Sequence, residues 1–157
     1  MNVESPRIGA APVRKTFRVK APQQKAFDTF VAGMGGWWIK SHSLLASPQK
    51  DVVIEPRAGG RWYEIGEDGA EKDWGKVIEW EAPCRLLLAW QLDADWNYDP
   101  GFQTTVEVRF NAQGDETLVE FEHRDLDRFG ARAAETAQGL DGGWDALLDG
   151  YRRSCEA

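Results

Sequence analysis

The sequence predicts an α+β fold, a curved antiparallel sheet of about six to seven strands wrapped around one long C-terminal helix. Three observations carry that expectation. Apolar and polar residues alternate with period two in run after run from Val13 onward, the mark of half-buried strands. Gly, Pro and Asp punctuate those runs at short intervals, as in antiparallel meanders. The chain then ends on Leu140, Trp144, Leu147, Leu148 and Tyr151, spaced i, i+4, i+7, i+8 and i+11, which is one apolar stripe of a helix.

Residues 1–12, with Pro6, Gly9 and Pro12 among small residues, read as a flexible N-terminal arm, and 13–157 as a single domain. Val13, Phe17 and Val19 share one side of a first strand. Pro22 suits the first turn of a helix, and Ala26, Phe27, Phe30, Val31 and Met34 recur at helical spacing until Gly35 and Gly36 stop it. Trp37, Trp38 and Ile39 form a short turn or helix leading into the loop SHSLLASPQ, a candidate lid. Val52 to Glu55 and Gly60 to Ile65 make a hairpin through Pro56 and the Gly59-Gly60 pair, followed by an Asp68-Gly69 turn. A strand from about Lys72 to Glu81 ends at Ala82-Pro83, and Arg85 to Leu92 reads as a strand buried on both sides. Val106, Val108 and Phe110 alternate with Glu107 and Arg109, and Val119, Phe121 and His123 with Glu120, Glu122 and Arg124, giving the last two strands.

Composition sets the outer limits. With 157 residues and 42% apolar content, one domain should bury roughly 70% of its unfolded surface. A charge of −7 disfavours nucleic acid, whose binding depends on Lys and Arg neutralising phosphates. No apolar run reaches the roughly 18 residues of a membrane span, and the start MNVESPRIGAAP lacks a signal-peptide core, so a cytoplasmic protein is expected. Cys84 and Cys155 lie far apart without CxxC spacing and are expected as free thiols. Only His42 and His123 are available as imidazole ligands, and no phosphate-binding glycine pattern follows a strand, so neither a metal nor any other cofactor is expected.

The aromatic content of the middle of the chain points to a cavity. Trp62, Tyr63, Trp74, Trp80 and Trp90 fall between Gly59 and Gln91, and each carries more than about 150 Å² of surface. One small sheet cannot hide all of them in a tight core. The gap between a curved sheet and a straight helix is the natural place for a pocket. Glu64 shares a strand face with Trp62, which sets a carboxylate beside an aromatic wall and is the best catalytic hint; the opposite register would turn Tyr63 and Ile65 inward instead. His123 shares its face with Val119 and Phe121 and reads either as a general acid or base or as a core histidine held by hydrogen bonds. Trp62, Trp74, Trp90 and Trp144 could stack an aromatic ligand with Glu64, Gln91 and His123 as polar handles, and core packing is the competing account of these tryptophans.

A family resemblance rests on the helix from Pro22 to Phe30, the GGRW at 59–62, Asp68-Gly69, the W-G-x-V of Trp74 to Val77, Pro83, the strand from Leu86 to Trp90 with its Trp-Gln end, His123, and Gly143-Trp144. With these features the chain resembles the START-like (SRPBCC) superfamily over about Val13 to Tyr151, and within it the domain shared with activators of the heat-shock protein 90 ATPase. The resemblance implies a helix-grip fold, often built around an apolar ligand cavity. Similar proteins bind lipids, hormones or polyketides, and a few catalyse cyclisation or hydrolysis. Fold alone does not choose among these.

The leading expectation is a protein that holds a small apolar or aromatic molecule between sheet and helix. Trp38 would sit near the entrance, Trp62, Trp74 and Trp90 on the sheet, and Trp144, Leu147 and Leu148 on the helix, with Glu64 and His123 orienting the ligand. An enzymatic alternative makes Glu64 and His123 an acid and base pair for cyclisation, dehydration or hydrolysis of a polyketide-like compound, which requires mutual reach of about 3 Å, directly or through one water. A third alternative is an interaction module for a chaperone or another partner, using an exposed apolar patch beyond about 600 Å². A homodimer is left open.

Overall fold

The computed structural model describes residues 11–157. Seven strands form one antiparallel sheet: β1 (Val13–Val19), β2 (Gln49–Ile54), β3 (Arg61–Gly66), β4 (Glu71–Glu81), β5 (Arg85–Trp90), β6 (Thr104–Gln113) and β7 (Glu116–Arg124), in the order β1-β7-β6-β5-β4-β3-β2. From β2 to β7 the sheet is a simple meander, and β1 returns to pair with β7. Helices α1 (Gln23–Val31) and α2 (Met34–Trp37) connect β1 to β2, and α3 (Ala133–Glu156) closes the chain. The predicted helix-grip architecture is the one observed. No helix among the described residues is long and apolar enough to cross a membrane.

Alternation decides which face each strand gives to the core. On β7, Thr117, Val119, Phe121 and His123 are buried, and on β3 Trp62, Glu64 and Gly66 are, while Arg61, Tyr63 and Ile65 stay partly exposed. The apolar stripe of α3 fills the concave side through Leu140, Trp144, Leu147, Leu148, Tyr151 and Cys155. Tyr151 is anchored by donating its hydroxyl to the Ala26 carbonyl at 2.7 Å, which ties α3 to α1. The acidic strand residues on the outer face are paired. Glu107, only 9% exposed, takes Arg85 and Arg124 at 2.7 and 2.6 Å, and Arg124 continues to Glu122.

One irregularity places a functional wall. Trp62 pairs with Gly75 but Tyr63 pairs with Asp73, so Trp74 is the extra residue of a β-bulge. A bulge bends its strand and re-aims a side chain, and here it buries Trp74. The neighbouring Gly75 lies so close to β5 that a Cβ would stand 1.8 Å from the Ala89 carbonyl oxygen. Gly75→Ala is therefore expected to destabilise the protein by about 1–3 kcal/mol or more, in the range of overpacked cores. Urea unfolding would measure it, and an unchanged midpoint would contradict the role given to this glycine.

Several boundaries differ from the sequence expectation. Helix α1 ends at Val31, and the Gly35-Gly36 pair lies inside α2 instead of terminating a helix. Gly35 serves close packing, since a Cβ there would lie 1.7 Å from Asp51 Oδ1 on β2. Helix α3 begins at Ala133, before the stripe that predicted it, because its first turns are small and polar and carry no apolar periodicity. A 3₁₀ segment, Leu126–Arg132, precedes it and was not foreseen. Of the expected flexible arm, residues 1–10 lie outside the described residues.

Candidate functional site

A cavity of about 390 Å³ lies where α3, the middle of the sheet and two loops meet. Helix α3 contributes Gly139, Leu140, Gly143, Trp144 and Leu147; Trp74 and Trp90 come from β4 and β5. The loop after α2 supplies Trp38, His42, Ser43 and Leu44, and the connection after β5 supplies Leu92 and Trp96. The walls are mainly apolar.

The indole nitrogens explain how a wall of tryptophans stays apolar. Trp74 donates its N–H to Glu64 Oε2 at 2.9 Å, Trp144 donates to His123 Nδ1 at 3.1 Å, and Trp38 donates to the His42 carbonyl at 3.1 Å. Each bond satisfies a buried donor within the protein. The rings also brace one another, with Trp38 at 4.7 Å from Trp74 and 5.8 Å from Trp144, and Trp90 at 5.8 Å from Trp144.

Glu64 and His123 stand behind this wall. Glu64 is fully buried and accepts from Ser43 Oγ at 2.5 Å, Leu44 N at 2.9 Å, Gln49 Nε2 at 3.2 Å and the Trp74 indole. Four donors use up the acceptor sites of a carboxylate. The carboxylate thereby pins the Ser43-Leu44 stretch of the cavity wall to β3. His123 is also fully buried, with Nε2 2.8 Å from Thr104 Oγ1. An indole N–H can only donate, so Nδ1 must accept and the ring proton sits on Nε2. Burial pushes the His123 pKa down to about 3, and the imidazole is neutral at physiological pH.

Of the residues singled out in the sequence, Trp38, Trp74, Trp90, Trp144 and Leu147 line the cavity. Four others do not. Trp62 packs edge-on behind Trp74 and Trp90, at 5.8 and 5.7 Å, because the bulge puts Trp74 between it and the open space. Leu148 lies one residue around the helix from Leu147, about 100° away, and is buried against the β1 side. Glu64 and His123 are taken up by the two tryptophans they hold. Gln91 donates to the Pro100 carbonyl at 3.1 Å and serves the loop after β5. Sequence reading missed His42, Ser43, Leu44, Leu92, Trp96, Gly139, Leu140 and Gly143 as lining residues. The signals available were the loop SHSLLASPQ, read as a candidate lid and holding His42, Ser43 and Leu44, and Leu140 at the head of the helical stripe. Among the described residues no three His, Cys, Asp or Glu side chains converge as metal ligands.

Comparison with known proteins adds independent findings. A family model described as activator of Hsp90 ATPase homolog 1-like protein matches residues 20–152. Among solved structures, an anthrahydroquino-γ-pyrone synthase is 33% identical, with TM-score 0.67, covering 93% of this chain and 97% of its own. A self-sacrificing resistance protein from Micromonospora echinospora is 30% identical, with TM-score 0.66, covering 92% of this chain and 93% of its own. A dimeric Aha1 protein from Colwellia psychrerythraea, 14% identical with TM-score 0.66 over 94% of this chain and 97% of its own, shares the fold. No curated protein matches the chain.

Proposed function

We propose that this chain, which belongs to the family of activator of Hsp90 ATPase homolog 1-like proteins, binds a small, mainly apolar or aromatic molecule in the cavity between sheet and α3. One observation carries the reading: five tryptophans surround about 390 Å³ of space, and three of them have their N–H groups tied into the protein. Such a volume lies within the range of small-molecule pockets. A core built only for stability would close on that space, since each unfilled cavity costs packing energy. The 33% identical synthase is named for an anthrahydroquino-γ-pyrone and the 30% identical protein for resistance, so two neighbours give support to small-molecule handling.

The rival readings draw less from the geometry. An acid and base pair of Glu64 and His123 would need free hydrogen-bonding capacity facing the cavity, and both groups are saturated by local partners. An interaction module would need an apolar patch, and among the described residues Trp96 is the one exposed large hydrophobic. Thermal shift against aromatic and lipid-like compounds, read by tryptophan emission, tests the proposal. A ligand at a hundred times its dissociation constant adds about 2.7 kcal/mol, which for a domain of this size is a rise of roughly 5–10 °C. No shift across a broad screen, together with no copurified compound in native mass spectrometry, would move the reading to the interaction module.

A further inference from the structure

Three features of the cavity have no explanation in the stability of the fold. The first is the pair Gly139 and Gly143, four residues apart on one face of α3 and about 6 Å apart along the axis. Glycine inside a helix is less stable than alanine. At Gly150 the reason is packing, because a Cβ there would lie 3.1 Å from the Trp37 carbonyl oxygen. At Gly139 and Gly143 a Cβ would have no heavy atom within 4 Å. The protein has room for side chains at both positions and leaves bare backbone facing the cavity.

The second is Trp96. It lines the cavity, is 48% exposed, and stands edge-on to Trp90 at 6.0 Å. Its φ of 65° is a left-handed conformation that a bulky residue adopts only under strain. The surrounding turn enforces it. Asp93 Oδ1 accepts from the backbone N–H groups of Asp95 and Asn97, both at 2.9 Å, and Asp95 pairs with Arg132 at the foot of α3. A large apolar ring is thus held rigidly at the mouth of the cavity, where it is half in water.

The third is the Trp90 N–H. Trp90 lines the cavity and is 4% exposed, yet unlike Trp38, Trp74 and Trp144 its indole has no acceptor among the described residues. It is also absent from the sealed, unpartnered polar atoms of the core, Gln49 Oε1 and Trp62 Nε1. The indole donor of this lining residue remains open to an acceptor on a guest.

Building on the ligand-binding reading above, we infer that the cavity is a slot for a flat, fused-ring molecule carrying a peripheral carbonyl or hydroxyl oxygen. The guest lies against the bare backbone of Gly139 and Gly143, stacks with Trp96 and accepts the Trp90 N–H. Gly139, Gly143 and Trp96 then set the preference for flat over bulky or chain-like apolar molecules.

The test compares the affinity of 1,8-dihydroxyanthraquinone, a planar probe with carbonyl oxygens, with that of dodecanoate, a flexible chain, in the wild type and in Gly139→Ala/Gly143→Ala and Trp96→Gly. The wild type is expected to prefer the planar probe. Both variants are expected to shift the affinity ratio at least tenfold toward dodecanoate while their melting temperatures stay level or rise by a few degrees, since one gains helix propensity and the other loses backbone strain. A wild type that prefers dodecanoate, or variants in which both probes weaken in parallel, would overturn the slot and leave the ligand-binding reading standing. If neither probe binds the wild type, the slot is overturned, and the broad screen described above decides the ligand-binding reading separately.

Discussion

Glu64→Ala is expected to lower stability by about 3–5 kcal/mol, because it orphans several buried donors at once and opens a void. Ser43 Oγ, Leu44 N, Gln49 Nε2 and Trp74 Nε1 all converge on this carboxylate. Truncation leaves the buried Gln49 and Trp74 donors with no alternative, and frees Ser43 and Leu44 from β3. At roughly 2–4 °C per kcal/mol for a chain of this length, the melting temperature should fall by about 10 °C. Glu64→Gln separates acceptor geometry from shape. Its amide oxygen can keep the Leu44 and Trp74 bonds, while its new NH₂ faces Ser43, whose hydroxyl can turn to accept, and Gln49. The Gln49 Oε1 has no partner as it stands, so turning that amide over presents an acceptor. The Gln variant should therefore lose only about 1 kcal/mol. Thermal or urea unfolding of the two variants checks the argument, and equal losses would show that the four donors do not depend on this carboxylate.

The same residue shows why the fold was more legible than the site. Strand alternation and the helical stripe depend on which side chains enter the core, and burial enforces that pattern along the whole chain. Glu64 and Trp62 were legible as inward-facing for that reason, and both are buried on the same face of β3. What a buried polar group does there depends on the residue that reaches it from another element. Trp74 reaches Glu64 only because a bulge inserts one residue into β4, and no local pattern announces that bulge. Trp144 reaches His123 from a helix 21 positions later. The two groups read as candidate acid and base each hold an indole N–H, an arrangement that alternation alone cannot reveal. Trp96 lay outside every periodic run, on a turn whose strain appears only as a backbone angle. Gly143 entered the sequence reading only as a mark of family resemblance and Gly139 not at all, because an absent side chain has meaning only against the space it leaves.

Acid should weaken the protein through His123 before Glu107 responds. The unfolded chain takes up a proton on this ring near its ordinary value of 6.5, while burial holds the folded value down at about 3. A folded state that refuses a proton the unfolded state accepts loses stability as pH falls. The contribution is therefore complete above pH 6.5, declines by up to about 1.4 kcal/mol per unit below it, and levels off near pH 3. Glu107 has the opposite partners, Arg85 and Arg124, which together outweigh its burial and keep its pKa below 4.5, so its share of stability is lost only at lower pH. The interval from pH 7 to pH 5 thus separates His123 from Glu107. Urea unfolding of the wild type and His123→Gln across that interval is the test. Glutamine can accept the Trp144 N–H and donate to Thr104, so the variant should fold, less stably at pH 7. The gap between the two proteins should then close by about 2 kcal/mol on reaching pH 5. A gap that stays constant with pH would mean that the ring is protonated in the folded state, which the Trp144 N–H aimed at Nδ1 forbids. Because the folded ring stays neutral through this interval, it keeps its bond to Trp144, and the ligand affinity of the folded wild type should hold from pH 7 to pH 5 even as its stability falls.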